Sequence, residues 1–327
     1  MSKLTTETPF SPECLKTMLY DMMLIRSFEE TVEKLFQQGK IHGTMHLCIG
    51  QEATAVGACV PLTKEDKITS THRGHGHSIA KGTKVKGMMA ELLGKETGYC
   101  KGKGGSMHIA DLDVGNLGAN GIVAAGLPLG TGAALTSKLK DLGYVVLCFF
   151  GDGSTNEGAF HESLNLASIW DLPIVFFCEN NLYGMSASIK EMTNIQNIAD
   201  RGIAYGIPSE TIDGNDVLEV VKATEKAVER ARNGEGPTLI EAHTYRWRGH
   251  SRSDARKYRT REEEKEWRKM RDPIALFKEQ LIEESVLTEA EFMELENKVQ
   301  AEMDEAVEFA ENSKAPGLET LETDIYA

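Results

Sequence analysis

Tyr144-Val145-Val146-Leu147-Cys148-Phe149-Phe150 runs directly into Gly151-Asp152-Gly153. About one helix later, Ile174-Val175-Phe176-Phe177-Cys178 runs into Glu179-Asn180-Asn181. Each apolar run is too short for an ordinary helix and rich in β-forming residues, which predicts two strands buried on both faces. Between them, residues 159–169 carry apolar side chains at Phe160, Leu164, Leu166, Ala167 and Ile169 and mostly polar ones elsewhere, the pattern of a helix; Pro173 restarts the chain as a strand. The unit is strand–helix–strand with a right-handed crossover, so both strands end at the same edge of one parallel sheet.

That geometry has a chemical consequence. Asp152 and Asn181 each follow a strand's carboxyl end, where open α/β sheets bind ligands. A carboxylate, an amide oxygen and nearby backbone carbonyls make an oxygen site suited to Mg2+, which usually also takes ligand phosphates. Gly153 leaves room for a phosphate near a helix N-terminus, where backbone N–H groups face the ligand. A lone Gly-Asp-Gly reads as a turn; the pairing with Asn-Asn after the next strand gives the motif its weight.

Downstream, a helix over 199–205, a strand over 208–211, a helix over 217–232 and a strand over 237–244 continue the alternation. It predicts an α/β fold with a doubly wound, mainly parallel sheet. Upstream, Ser11-Pro12 starts a helix whose stripe of Leu15, Met18, Leu19, Met22, Ile25, Val32, Leu35 and Phe36 reads as packing; Gly39 stops it. Ala53 to Val60 and Met88 to Leu93 read as helices, and 66–70 as a short strand. Gly126, Gly130, Gly132, Ala133 and Ala134 open a small-residue helix, expected to allow close helix–helix approach. Asp272-Pro273 starts one late helix, and Thr288-Glu289-Ala290-Glu291 is a capping box for another running to about Asn312; their acidic residues read as a solvated outer face. The chain divides into an N-terminal helical arm (1–40), the α/β domain (41–260) and a C-terminal helical extension (261–327).

Composition excludes several functions. The 327 residues are 41% hydrophobic, ample for one large α/β domain with appendages. A net charge of -14 argues against a nucleic-acid partner. The six cysteines are scattered without a C-x-x-C pair and read as reduced thiols of a cytoplasmic protein. The polar Met1–Phe10 segment lacks a signal core, and no apolar run reaches the ~20 residues of a membrane span. Lys101-Gly102-Lys103-Gly104-Gly105-Ser106 lacks the glycine spacing of a P-loop, but a Gly-rich stretch this long in a compact domain is usually functional. Residues 245–261 are basic, with Arg246, Arg248, Arg252, Arg256, Lys257, Arg259 and Arg261.

With these motifs assembled, the chain resembles the alpha subunits of the thiamine-dependent decarboxylating component of 2-oxo acid dehydrogenase complexes, over about residues 15–320. Within that family it is most similar to the acetoin dehydrogenase branch, through Ser70-Thr71-His72-Arg73-Gly74-His75-Gly76-His77 and 101–111. The pyruvate branch shares the second stretch and usually carries Tyr where His72 stands. The resemblance implies thiamine diphosphate and Mg2+ as cofactors, with Asp152, Asn181 and the Tyr183 carbonyl as metal ligands. It implies that His72, Arg73, Gly153 and Ser154 meet the diphosphate, that Gly121 and Val123 line the aminopyrimidine pocket, and that His46 and His250 face the reacting thiazolium carbon. His75, His77, His108 and His161 stay structural, and the basic segment becomes a loop over the channel mouth that orders when cofactor binds.

The implied reaction is cleavage of acetoin to acetaldehyde and a hydroxyethyl unit that is oxidised and passed to a lipoyl-bearing acyltransferase core. The alternatives are pyruvate or a branched-chain 2-oxo acid as substrate, a non-catalytic scaffold subunit, and a transketolase-like enzyme. The implied partner is a beta subunit, in a heterotetramer of two alpha and two beta chains, which supplies the Glu that activates the aminopyrimidine.

Overall fold

The computed structural model describes residues 10–324, so the polar leader through Pro9 lies outside the described residues. The strands are β1 (Lys67–Thr69), β2 (Val146–Gly151), β3 (Ile174–Asn180), the two-residue β4 (Tyr183–Gly184) and β5 (Ala187–Ser188), β6 (Ser209–Asp213) and β7 (Thr238–His243). The helices are α1 (Pro12–Gln37), α2 (Glu52–Cys59), α3 (His75–Lys81), α4 (Val85–Leu92), α5 (Gly126–Leu139), α6 (Gly158–Ile169), α7 (Ile189–Met192), α8 (Val217–Arg232), α9 (Arg261–Met270), α10 (Pro273–Glu283) and α11 (Glu289–Asn312).

The main sheet has the order β1-β2-β3-β7-β6, and every pairing in it is parallel. This is the α/β architecture expected from the alternating pattern. The two apolar runs are its centre: β2 pairs β3 with Gly151 opposite Glu179, so Asp152 and Asn181 leave the sheet side by side. Their side chains alternate between two cores because a strand has period two. Leu147, Phe149, Val175 and Phe177 pack with Ala58 of α2 and Val220 of α8. Val146, Cys148, Phe150, Phe176 and Cys178 pack with Leu127 of α5 and Phe160 of α6. Each fully buried phenylalanine contributes roughly 1.5–3 kcal/mol relative to exposure.

A third core joins the two ends of the chain. The α1 stripe, including Met18, Met22 and Ile25, packs with Phe277 of α10 and Met303 of α11. Ser11 Oγ accepts the Cys14 N–H to cap α1, and Gly39, at φ +73, ends it. The capping box at Thr288 forms as expected, with Glu291 reaching back to the Thr288 N–H. The solvated-face reading of α11 needs correction: Val299, Met303, Ala306 and Ala310 face inward, and only its outer side is acidic and exposed.

The small residues of α5 also serve a different contact from the one expected. A Cβ on Gly130 would lie 3.3 Å from Cys148 Cβ and from Ile174 Cδ1, and one on Gly126 would lie 3.4 Å from the Ser70 carbonyl oxygen. The helix is therefore let down onto the sheet, not chiefly onto another helix. Among the described residues, no helix is long and apolar enough to cross a membrane.

Candidate active site

A cavity of about 370 Å3 opens where the carboxyl ends of β1, β2, β3 and β7 converge. Each strand delivers a short segment to it: Thr71, His72 and Arg73 after β1, Asp152 to Ser154 after β2, Asn181 and Tyr183 after β3, Arg246 and His250 after β7.

The floor is polar and incompletely paired. Asp152 is 2% exposed, and its Oδ2 has no hydrogen-bond partner. Burial raises its carboxyl to about 6, against the pull of Arg246 and of backbone N–H groups. Asn181 Nδ2 donates to Gln51 Oε1 at 2.9 Å, which turns Asn181 Oδ1 the other way, and that oxygen is also buried without a partner. Unsatisfied buried acceptors are rare because each costs about 1–3 kcal/mol. Two of them on adjacent strand ends fit a hard cation that takes oxygen ligands. The loops after β2 and β3 also approach closely: a Cβ on Gly153 would sit 3.4 Å from Gly184 Cα.

His72 and His250 line one wall, and His46, which does not line the cavity, packs against both. The ring centroids of His46 and His72 are 4.6 Å apart, those of His46 and His250 4.9 Å, and those of His72 and His250 5.4 Å. Burial, then the neighbouring Arg73, lowers His46 to about 3, His72 to about 2 and His250 to about 4. All three rings are therefore neutral at pH 7, and the His46 Nδ1 atom is buried without a partner. Ring nitrogens of the three come within 4.8 Å of one another. The charge of Arg73 and Arg246 beside them opposes a second cation there.

Arg73 organises that wall. Its Nη1 donates to the Leu47 carbonyl at 2.6 Å and its Nη2 to the His250 carbonyl at 3.0 Å. One guanidinium thus ties together the segments that carry His46 and His250. Burial, then Arg246, lowers Arg73 itself to about 10.

The remaining expected positions divide. Ser154 and Val123 line the cavity, but Gly121 does not; its neighbours Asn120 and Ile122 do. The Tyr183 carbonyl accepts Arg246 Nη1 at 2.7 Å, and its hydroxyl donates to Glu263 at 2.9 Å. The histidines read as structural all have protein partners: His75 meets Glu29 and Ser106, His77 meets Ser70 and Glu179, His108 the Gly104 carbonyl, and His161 the Tyr205 hydroxyl.

Sequence reasoning missed three contributors. Arg246, 1% exposed, lines the cavity. Gln51 orients Asn181. Glu91, also 1% exposed, accepts four backbone N–H groups, from Cys100, Gly102, Gly104 and Gly105, at 2.8–2.9 Å. That carboxylate shapes the Gly-rich loop, in which Gly102 holds φ +76. Glu179, near the end of β3, also lines the cavity, and its place beside Asn180-Asn181 is its local signal.

The basic segment divides between two sides of its loop. Arg246 and His250 reach the cavity. Arg248 instead pairs Glu33 at 2.9 Å, and Arg256 and Arg259 pair Glu264 at 2.7 and 2.9 Å. The half-buried Glu33 on α1 and the buried Glu264 on α9 draw these side chains to the far side of the loop.

The dehydrogenase E1 component family model matches residues 20–319. The acetoin:2,6-dichlorophenolindophenol oxidoreductase alpha subunit of Bacillus subtilis is 52% identical over 94% of this chain and 92% of its own length. The protein of the same name from Cupriavidus necator is 44% identical over 97% of this chain and 96% of its own. The chloroplastic pyruvate dehydrogenase E1 component subunit alpha-3 of Arabidopsis thaliana is 43% identical over 94% of this chain and 73% of its own. The chain belongs to the dehydrogenase E1 component family, and is a subunit of a thiamine diphosphate-dependent oxidoreductase.

Proposed function

We propose that this chain is the alpha subunit of an acetoin-cleaving oxidoreductase and that Asp152 and Asn181 hold the Mg2+ that anchors thiamine diphosphate. The two unpartnered oxygens, Asp152 Oδ2 and Asn181 Oδ1, carry the metal half of the reading. The Tyr183 carbonyl, which accepts Arg246 Nη1 here, would be the third protein ligand. The relatives named for acetoin, at 52% and 44% identity, support the substrate.

Bound at this site, thiamine diphosphate supplies an electron sink. The protein supplies position and charge. His72, Arg73, Gly153 and Ser154 face the diphosphate, joined by Arg246, whose planar fork suits phosphate oxygens. Val123 flanks the aminopyrimidine on the apolar rim, with Ile122 beside it in place of the expected Gly121. His46 and His250, neutral at pH 7, accept and return protons beside the reacting carbon. Arg73 holds both in place through the carbonyls of Leu47 and His250. The loop over 245–261 orders further when cofactor fills the cavity.

The catalytic half missing from this chain comes from a beta subunit, in a heterotetramer of two alpha and two beta chains. The mouth of the cavity supports this: Ile122, Val123, Met185 and Met192 line it and are 48–73% exposed. An apolar rim of that kind marks a surface to be covered. The two-carbon product passes from there to a lipoyl-bearing acyltransferase core. The 41–260 segment carries every residue lining the cavity, while helices of the arm (1–40) and the extension (261–327) pack into the third core. The six free cysteines fit a cytoplasmic setting.

The test is to purify the chain with its beta partner and follow reduction of 2,6-dichlorophenolindophenol with acetoin or pyruvate as substrate. Acetoin-dependent reduction by the complex, and none by this chain alone, is expected. Preference for pyruvate would overturn the substrate, and substantial turnover by the single chain would overturn the divided site.

A further inference from the structure

Behind the loop that carries His250 lies a second cavity, of about 620 Å3. His250 lines the front cavity, while Gly249, Arg252 and Asp254 line this one. The front site makes no use of it. Six cationic side chains surround it: Arg248, Arg252, Arg256, Arg261, Lys265 and Arg268. Three acids face them, Glu33, Asp254 and Glu264.

The acids are already engaged. Glu33 takes Arg248 through both oxygens, at 3.1 and 2.9 Å. Glu264 takes Arg256 and Arg259. Asp254 accepts the backbone N–H groups of His250 and Arg256 and the Tyr258 hydroxyl, at 2.6–2.8 Å. The cations are not matched. Arg252 comes no nearer than 3.9 Å to Glu33, and the buried Nε atoms of Arg252 and Arg268 have no hydrogen-bond partner. Arg261, Lys265 and Arg268 have no carboxylate within 4 Å among the described residues. Burial, followed by Arg248, lowers Arg268, so like charges are held together at a cost.

We propose that this cavity is a binding site for a small multivalent oxyanion of the phosphate class, seated between Arg252 and Arg268 on the back of the His250 loop. Planar guanidinium forks match tetrahedral oxyanions by paired N–H···O bonds. Such an anion cancels the local excess of charge. Asp254 makes the connection to the front: it fixes the tight turn from Gly249 to Tyr258, which presents His250 forward and Arg252 backward. Filling the back cavity therefore stiffens the segment that positions His250.

Sulfate is the probe. The assembled complex, saturated with thiamine diphosphate and Mg2+ so that the front site is filled, is exchanged in deuterated buffer with sulfate or with chloride at matched ionic strength. Backbone amides of residues 248–258 are expected to exchange about tenfold more slowly at sulfate near ten times its Kd. The Arg252→Gln, Arg268→Gln double variant should lose that protection while keeping the exchange pattern of the sheet. Lys265→Gln, at the exposed rim, should keep the fold and raise the sulfate midpoint. Equal effects of sulfate and chloride, or undiminished protection in both variants, overturn the proposal.

Discussion

Arg73 donates a guanidinium N–H to the carbonyl of His250 at 3.0 Å, across 177 positions of sequence. The same guanidinium holds Leu47, next to His46. The two histidines thus owe their relative position to one buried side chain that also faces the diphosphate pocket. Lysine can satisfy one carbonyl but not both in a fixed fork. Arg73→Lys should lower kcat by about 100-fold, the scale of a misplacement near 1 Å, with the circular dichroism spectrum unchanged. A kcat within a few-fold of wild type would show that the clasp does not position the histidines.

The orphaned carboxylate predicts a trade between stability and function. Asp152 is buried, and its Oδ2 has no hydrogen-bond partner. Asp152→Asn removes a buried charge while keeping the shape. The cofactor-free protein should gain about 1 kcal/mol in urea unfolding, and the variant should fail to gain the extra stability that Mg2+ and thiamine diphosphate give wild type. A loss of several kcal/mol in the cofactor-free state would mean that the carboxylate has a structural partner.

Glu91 offers a test far from the chemistry. Its two oxygens accept four backbone N–H groups of the Gly-rich loop. Glu91→Gln keeps the size but removes the charge and turns one acceptor into a donor facing N–H groups. The cost should be about 3 kcal/mol by chemical denaturation, with faster proteolysis between Cys100 and Met107. A loss under about 0.5 kcal/mol, the range of an ordinary surface change, would contradict the anchoring role.

The histidine wall sets a pH dependence. His46, His72 and His250 are lowered from 6.5 to about 3, 2 and 4 in the folded chain. Below pH 6.5 the unfolded chain binds protons at these positions that the folded chain refuses. Stability therefore falls as pH drops from 6.5 toward 4, by up to about 1.4 kcal/mol per pH unit for each histidine. Urea titrations of wild type and His72→Asn between about pH 7 and about pH 4.5 should show a shallower fall in the variant. Parallel curves would mean that His72 titrates normally in the folded chain.

What the sequence made legible follows from how local each signal is. The β2 and β3 runs declare themselves because every residue is apolar, and the Asp152 and Asn181 positions follow from strand ends alone. Helix boundaries at Ser11, Asp272 and Thr288 are written in capping side chains within a few residues. Arg246 was visible only as one of several arginines. Its burial depends on the Tyr183 carbonyl, 61–63 positions away along with Met185, and nothing local distinguishes it from Arg248, which turns to Glu33 on α1. Gln51 and Glu91 were silent for the same reason: their roles are set by the backbone N–H groups and the amide that the fold brings to them. The small residues of α5 predict close approach to another helix, but the surface that Gly126 and Gly130 meet is the sheet, which the helix sequence does not specify.

The central claim is that the ends of β2 and β3 form a metal and diphosphate site. Its most direct test is calorimetric titration of thiamine diphosphate into the complex of this chain with its beta partner, with Mg2+ or with a chelator, for wild type and Asp152→Ala. The account predicts binding by wild type only with Mg2+, and affinity weakened by more than about 100-fold in Asp152→Ala, beyond the usual loss from an outer-shell change. Equal affinity of the two proteins, or wild-type binding indifferent to the metal, would contradict it.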